Sequence, residues 1–242
     1  VASRPSAWGA PSVAEKGSGD AGRAARLYSG DSEVRIRQEI MLGIGGVQLL
    51  HKLGYRPSVL HMNEGHSAFL LLESVRQEIV AGLAFEAACE LVKSRTVFTT
   101  HTPVPAGHDA FSFSLMDKYF QGYWNQLGID RDEFLSLGHH AEPWGDAFNM
   151  TVLALRLSGQ RNGVSQLHAE VSRQMWQPVW PDRTVDDVPI RAITNGIHVP
   201  GWTAGEMRQG FKGYLGADWG EPHGDPLRGE RRKKVPEKGR WR

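Results

Sequence analysis

Between residues 32 and 54 apolar side chains recur at helical intervals. Ile36, Ile40, Ile44 and Val47 share one face of SEVRIRQEIMLGIGGVQLLHKLG, with Asp31 or Ser32 as the cap and Gly54 as the terminator. RPSVLHMN predicts a short strand with Pro57 at its start, where a missing N–H is tolerated. GHSAFLLLESVRQEIVAG and LAFEAACELVKS predict helices, and the β-branched and aromatic TVFTT predicts a second strand. Residues 114–137 predict helix in two pieces. NMTVLALRLSG and VSQLHAEVSRQMW predict two further helices joined by QRNG, VPIRAITN a third strand, and Trp202 the start of a last helix. Strands alternating with helices predict an α/β fold, a parallel sheet with crossover helices.

Both ends break this pattern. Residues 1–25 are rich in Ala, Gly, Ser and Pro without periodicity, and residues 219–242 are basic. Neither can bury enough apolar surface to offset chain entropy, so both are expected to be disordered, or to derive from a shifted reading frame. The domain proper is expected over residues 26–218. The last 22 residues hold eight Lys/Arg and four Asp/Glu, so the net charge of +1 conceals about −3 over the first 220. No basic stripe interleaved with aromatics runs through the body, which argues against a nucleic-acid partner. No apolar run approaches the roughly 18 residues that a membrane span needs, and the start lacks the apolar core of a signal peptide. A cytoplasmic protein without a membrane partner is expected. Cys89 is the single cysteine, which excludes an intrachain disulfide and Cys-based zinc sites, and its helical context predicts a small core residue.

The candidate chemistry follows the predicted strands. The first ends in LHMNEGH, the second in FTTHTPVPAGH, the third in ITNGIH. In a parallel α/β sheet all carboxyl ends lie on one edge, where ligands bind. His61, Asn63, Glu64, His66, His101, His108, Asn195 and His198 are therefore expected at one rim. Asn and neutral His each offer a donor and an acceptor, which suits sugar hydroxyls that do both. Pro103 and Pro105 would stiffen the second loop. For His61 a structural role is favoured, and for His66 and His101 contact with ligand. A mixed His/Glu metal site across the loops is the alternative, but no HExxH pair supports it and no metal is expected. LGIGG, residues 42–46, does not follow a strand, so it reads as close helix packing rather than a phosphate loop. His139 and His140 read as loop residues.

RLYSGDSEVRIRQEIMLGIGG, HMNEGHSAFL, FTTHTPVPAGHDAF, NMTVLALRLSG, NGVSQLHAEVSRQMW and ITNGIHVPGW occur in this order, and together resemble α-glucan (glycogen) phosphorylases of the shorter bacterial and archaeal branch. The resemblance runs over roughly residues 26–218 and corresponds to the later part of that family's N-terminal domain. It implies an incomplete Rossmann-like domain of a glycosyltransferase B-type fold. It also implies phosphorolysis of the non-reducing terminal glucose of an α-1,4-glucan by inorganic phosphate, giving glucose 1-phosphate with retention. Pyridoxal phosphate, held by a lysine, serves the family as acid/base partner. By motif, His101 resembles the histidine that hydrogen-bonds the glucose, and Asn195 the asparagine at its 6-hydroxyl. Asn63, Glu64 and His66 resemble the loop beside the same sugar. Arg35 and Arg37 resemble an arginine pair that in some members helps bind a regulatory phosphate, and are read here as structural.

The family's C-terminal domain, with its cofactor lysine, has no counterpart in the sequence, and neither Lys212 nor Lys233 stands in the cofactor motif. No complete catalytic set and no cofactor binding are expected, and the chain alone is expected to be inactive. The alternatives are a non-catalytic glucan-binding protein and a fragment of a related sugar-nucleotide glycosyltransferase.

Overall fold

The computed structural model describes residues 31–217 and residue 219. They form two compact units that divide after Thr194. Apart from Trp219, the expected disordered ends lie outside the described residues.

The first unit opens with α1 (Ser32–Ile40). Of the two candidate caps Asp31 takes the role, its carboxylate accepting the N–H groups of Glu33 and Val34. The chain widens into a π turn over Met41–Gly45 and continues as α2 (Gly46–Lys52). LGIGG is thus helical throughout. A Cβ on Gly43 would lie 2.7 Å from the Leu70 amide nitrogen, so the glycine lets this turn rest directly on the backbone of the following helix. That is the packing role its sequence context predicts.

β1 (Leu60–Asn63), α3 (Phe69–Val80), α4 (Phe85–Ser94) and β2 (Thr96–Thr100) follow. β1 and β2 pair in parallel, Leu60 opposite Thr96 and Asn63 opposite Thr99. The next stretch departs from expectation. β3 (Ala110–Ser112), β4 (His139–Glu142) and β5 (Gly145–Asn149) form a small antiparallel sheet in the order β3-β5-β4. His139 and His140 are therefore strand residues. The helix expected in two pieces comes in three, α5 (Phe113–Phe120), α6 (Tyr123–Gln126) and α7 (Arg131–Ser136). Gly122 and Gly128 interrupt it with φ of 81° and 71°.

α8 (Met150–Leu157) and α9 (Gln166–Trp176) match the two helices read from their apolar spacing. The link between them does not match. QRNG, residues 160–163, is strand β6 (Gln160–Gly163), placed between β2 and β7 (Arg191–Ala192) in a four-stranded parallel sheet of order β1-β2-β6-β7. Its polar side chains give no apolar signal, because its partners are backbone ladders and the Thr99 hydroxyl, which donates to Asn162 Oδ1. The strand expected over VPIRAITN is only two residues long, preceded by the buried Val188 and Ile190.

A chain of aromatic rings runs through the core. Phe69, Phe120, Phe134 and Phe148 are buried, with successive ring centroids at 4.8, 5.3 and 5.7 Å. Each contributes about 1.5–3 kcal/mol through burial, and together they fasten α3, α5 and α7 to β5. Cys89 is buried, as its helix position predicts. In the second unit, α10 (Val199–Trp202) is followed by α11 (Gly205–Leu215), near the helix expected from Trp202. No helix among the described residues is long and apolar enough to cross a membrane.

Candidate functional site

β1 and β2 run side by side in the same direction, so LHMNEGH and FTTHTPVPAGH leave the sheet on the same edge. The two strand ends are joined by hydrogen bonds at three levels. Within the sheet, the Thr99 hydroxyl donates to Asn162 Oδ1 at 2.8 Å and meets His61 Nε2 at 2.8 Å. Since that hydroxyl has one proton, His61 Nε2 is the donor to it. His61 thereby ties β1 to β2 and β6, the structural role favoured for it.

One residue beyond β1, the Glu64 N–H donates to the Thr99 carbonyl at 2.9 Å. The backbone there takes φ 65° and ψ 175°. Glu64 is the only non-glycine with positive φ among the described residues. That region is essentially reserved for glycine, and a side chain held in it costs about 1–3 kcal/mol. The bend aims the Glu64 carboxylate across the edge of the sheet. Its Oε1 accepts the His101 N–H at 2.5 Å and the Thr102 hydroxyl at 3.0 Å. Gly65 then lets the turn settle on the start of α8, since a Cβ there would be 3.1 Å from the Thr151 amide nitrogen.

The third level lies at the far end of the second loop. His66 Nδ1 stands 2.9 Å from Asp109 Oδ2, and Arg35, reaching from α1, bonds both Asp109 oxygens. Arg35 is also 3.3 Å from Glu39 Oε1, whose side chain is 2% exposed. Burial pushes the Glu39 carboxyl up to about 8. Hydrogen bonds to Asp109 and Glu39 push the His66 imidazolium up to about 9, so at neutral pH it is charged. Burial works to raise Asp109, but the bonds from His66 and Arg35 outweigh it and hold the group well below the usual carboxylate range. Glu39, His66 and Asp109 each offer a ligand atom within 4.8 Å of the others, as a metal centre would require. A divalent ion there would collide with the guanidinium of Arg35, which already bonds both carboxylates. The cluster already holds two cations, Arg35 and the His66 imidazolium.

The expected site residues therefore divide. Asn63, Glu64 and His101 share the rim, with Asn63 exposed and His101 half-buried. His66 lies on the same turn as Glu64, but its Nδ1 faces the charged cluster. His108 belongs to the packing: its Nδ1 is 2.8 Å from Thr151 Oγ1, its ring meets the edge of Trp176, and burial lowers its pKa. Asn195 and His198 fall in the second unit, where both are exposed and the His198 carbonyl accepts the N–H groups of Gly201 and Trp202. Asp109 and Glu39 were missed by sequence reading. The only local trace was Glu39 four residues after Arg35, a spacing common on any helix.

The fold is an α/β domain with a parallel sheet, and Asn63, Glu64 and His101 stand at its carboxyl edge, where open sheets of this class bind their ligands. Comparison with characterised proteins is more specific. The chain is 42% identical over 193 residues to maltodextrin phosphorylase of Thermococcus litoralis, covering 80% of this chain and 22% of that protein. It is 44% identical over 206 residues to glycogen phosphorylase of Mycobacterium tuberculosis, covering 80% and 24%. Glycogen phosphorylase of Aquifex aeolicus is 34% identical over 218 residues, covering 90% and 31%. No family model matches the chain. The resemblance to α-glucan phosphorylases read from the six motifs is therefore real, and the chain corresponds to a segment of such proteins. It spans about a quarter of the length of the curated relatives it matches.

Proposed function

We propose that this segment forms one wall of the sugar cleft of an α-1,4-glucan phosphorylase. Its parallel sheet would be part of the N-terminal Rossmann-like domain of a glycosyltransferase B-type fold. The observation that carries this reading is the joint position of Asn63, Glu64 and His101 at one sheet edge, in a chain related over four-fifths of its length to phosphorylases. In this reading the His101 imidazole, on a loop fixed at both ends, bonds a hydroxyl of the terminal glucose. Asn63 offers a second donor and acceptor to the same sugar. Inorganic phosphate is the co-substrate and glucose 1-phosphate the product of the whole enzyme.

Pyridoxal phosphate supplies the acid/base phosphate in this reaction class. The described lysines do not fit it. Lys93 closes α4 and pairs with Glu90, Lys118 pairs with Glu33 on the outer face of α1, and Lys52 and Lys212 are exposed ends of helices. Arg35, the arginine nearest the turn, is engaged by Asp109 and Glu39. The segment is accordingly assigned glucan binding without turnover of its own. The test is calorimetric titration of the full chain with maltoheptaose, together with an assay for glucose 1-phosphate in inorganic phosphate. Saturable binding without product is expected. Product formation would overturn the inactivity, and absence of binding would overturn the cleft-wall assignment.

A further inference from the structure

The loop from His101 to Asp109 is the one element at the rim gripped at both ends, and both grips come from a single turn. Glu64 takes the His101 N–H and the Thr102 hydroxyl at the entrance. His66, two residues later, takes Asp109 at the exit. Between them the loop closes on itself: a Cβ on Gly107 would lie 2.5 Å from the Thr102 methyl group. Pro103 and Pro105 restrict the remaining backbone.

The backbone of Glu64 is what makes this grip possible. With an ordinary extended φ the side chain would follow the strand pleat; at φ 65° it is directed sideways onto the neighbouring strand end. Glycine would satisfy that backbone without strain, yet the position holds a residue with a carboxylate. Strain maintained at a ligand rim, with one carboxylate oxygen taken up by two donors of the loop, points to pre-organisation. We propose that Glu64 is a positioning residue rather than a sugar contact: its carboxylate, held by a strained backbone, fixes the main chain of His101 so that the imidazole is presented to the glucan. This rests on the reading of the rim as a sugar site.

The experiment uses the full chain with three substitutions, Glu64→Gly, Glu64→Ala and Glu64→Gln, and three readouts: melting temperature, exchange of the His101 amide proton by NMR, and affinity for maltoheptaose. Glu64→Gly removes the strain and the carboxylate together, so it melts above Glu64→Ala. In both, the His101 amide exchanges faster and maltoheptaose binds more weakly, each by about tenfold or more, as for loss of a hydrogen bond to a charged group. Glu64→Gln keeps an acceptor oxygen at the same place and holds both properties within about threefold of the parent, because a neutral acceptor still binds the same N–H. Retained His101 protection in Glu64→Gly would overturn the proposal. So would a Glu64→Gln variant that keeps the protection but loses the sugar, since the carboxylate would then touch the glucan directly. If the parent chain itself fails to bind maltoheptaose, the sugar reading falls, while amide exchange and melting still decide whether Glu64 fixes the loop.

Discussion

Arg35 and Arg37 stand two residues apart on α1, and each pairs with a glutamate one helical turn away. Arg35 meets Glu39 and Arg37 meets Glu33. There the likeness ends. The Arg35 side chain is 15% exposed and shares Asp109, Glu39 and His66 with the loops of the rim. That of Arg37 is 37% exposed and lies over Tyr119 beside Lys118. Identical helical spacing thus produces a buried clasp on one face and a solvated network on the other. What the helix face rests on, and not the i,i+4 pattern, decides the weight of the pair.

The strongest way to break this comparison is to remove the buried cation. Arg35→Met leaves the Asp109 carboxylate with only His66 as counter-charge, and is expected to destabilise the fold by about 3–5 kcal/mol in denaturant titration. A loss below about 1 kcal/mol would put Arg35 in the class of surface pairs.

The second test is pH. His66 is raised from 6.5 to about 9 and Glu39 from 4.5 to about 8. Both pKa values are higher in the folded state, so both contributions are complete below the unfolded values and are lost as pH rises through the folded ones. Stability should therefore fall from about pH 4.5 to 9, Glu39 acting between 4.5 and 8 and His66 between 6.5 and 9, by several kcal/mol in all. Glu39→Gln should flatten the slope below about pH 6.5 and reduce it between 6.5 and 8, and Arg37→Ala should leave the slope intact. A melting temperature that is flat over this window in the parent chain would contradict the charged clasp.

The two faces also differ at their glycines. Gly43→Ala would drive a methyl group into the backbone of Phe69 and Leu70, a site where something must shift, and should cost about 1–3 kcal/mol. A Cβ on Gly46 meets nothing within 4 Å, so Gly46→Ala should stabilise by up to about 1 kcal/mol through helix propensity. If the two alanines had the same sign, the packing account of this turn would be wrong. The smallest effect belongs to Arg37→Ala, which should move the melting temperature by less than about 3 °C.

Much of the helical framework was legible because its apolar faces repeat. Ile36, Ile44 and Val47 are buried as their spacing requires, and so are Ala169 and Trp176 on α9. The sheet was half legible. TVFTT carries a strand composition, whereas β6 reads Gln-Arg-Asn-Gly and is held by ladders on both sides, a tertiary effect with no local signature. At the rim, Glu64 and His101 were legible because they follow predicted strands of a parallel sheet, whose carboxyl ends share one edge. Their mutual bond was not foreseen, nor was the role of Asp109, because it depends on Arg35 arriving from a helix 74 residues earlier. His108 misled for the opposite reason: a polar residue after a strand turned inward to pack on Trp176.

The π turn at Met41–Gly45 has a consequence for length. In a regular α-helix a step of four residues overshoots one revolution by about 40°, so Ile36, Ile40 and Ile44 would drift about 80° around the axis. The wider turn takes up more residues per revolution and brings that drift back, so Ile36 and Ile44, both buried, stand nearly in line. Closing this turn to ordinary α pitch with the residue count unchanged would swing everything beyond it by roughly 90°. Val47 and the outward Leu49 face, 54% exposed at that residue, would both take a new bearing. The turn acts as a phase setting for the second half of the helix, so that in this stretch residue count is tied to angle as tightly as composition is tied to burial.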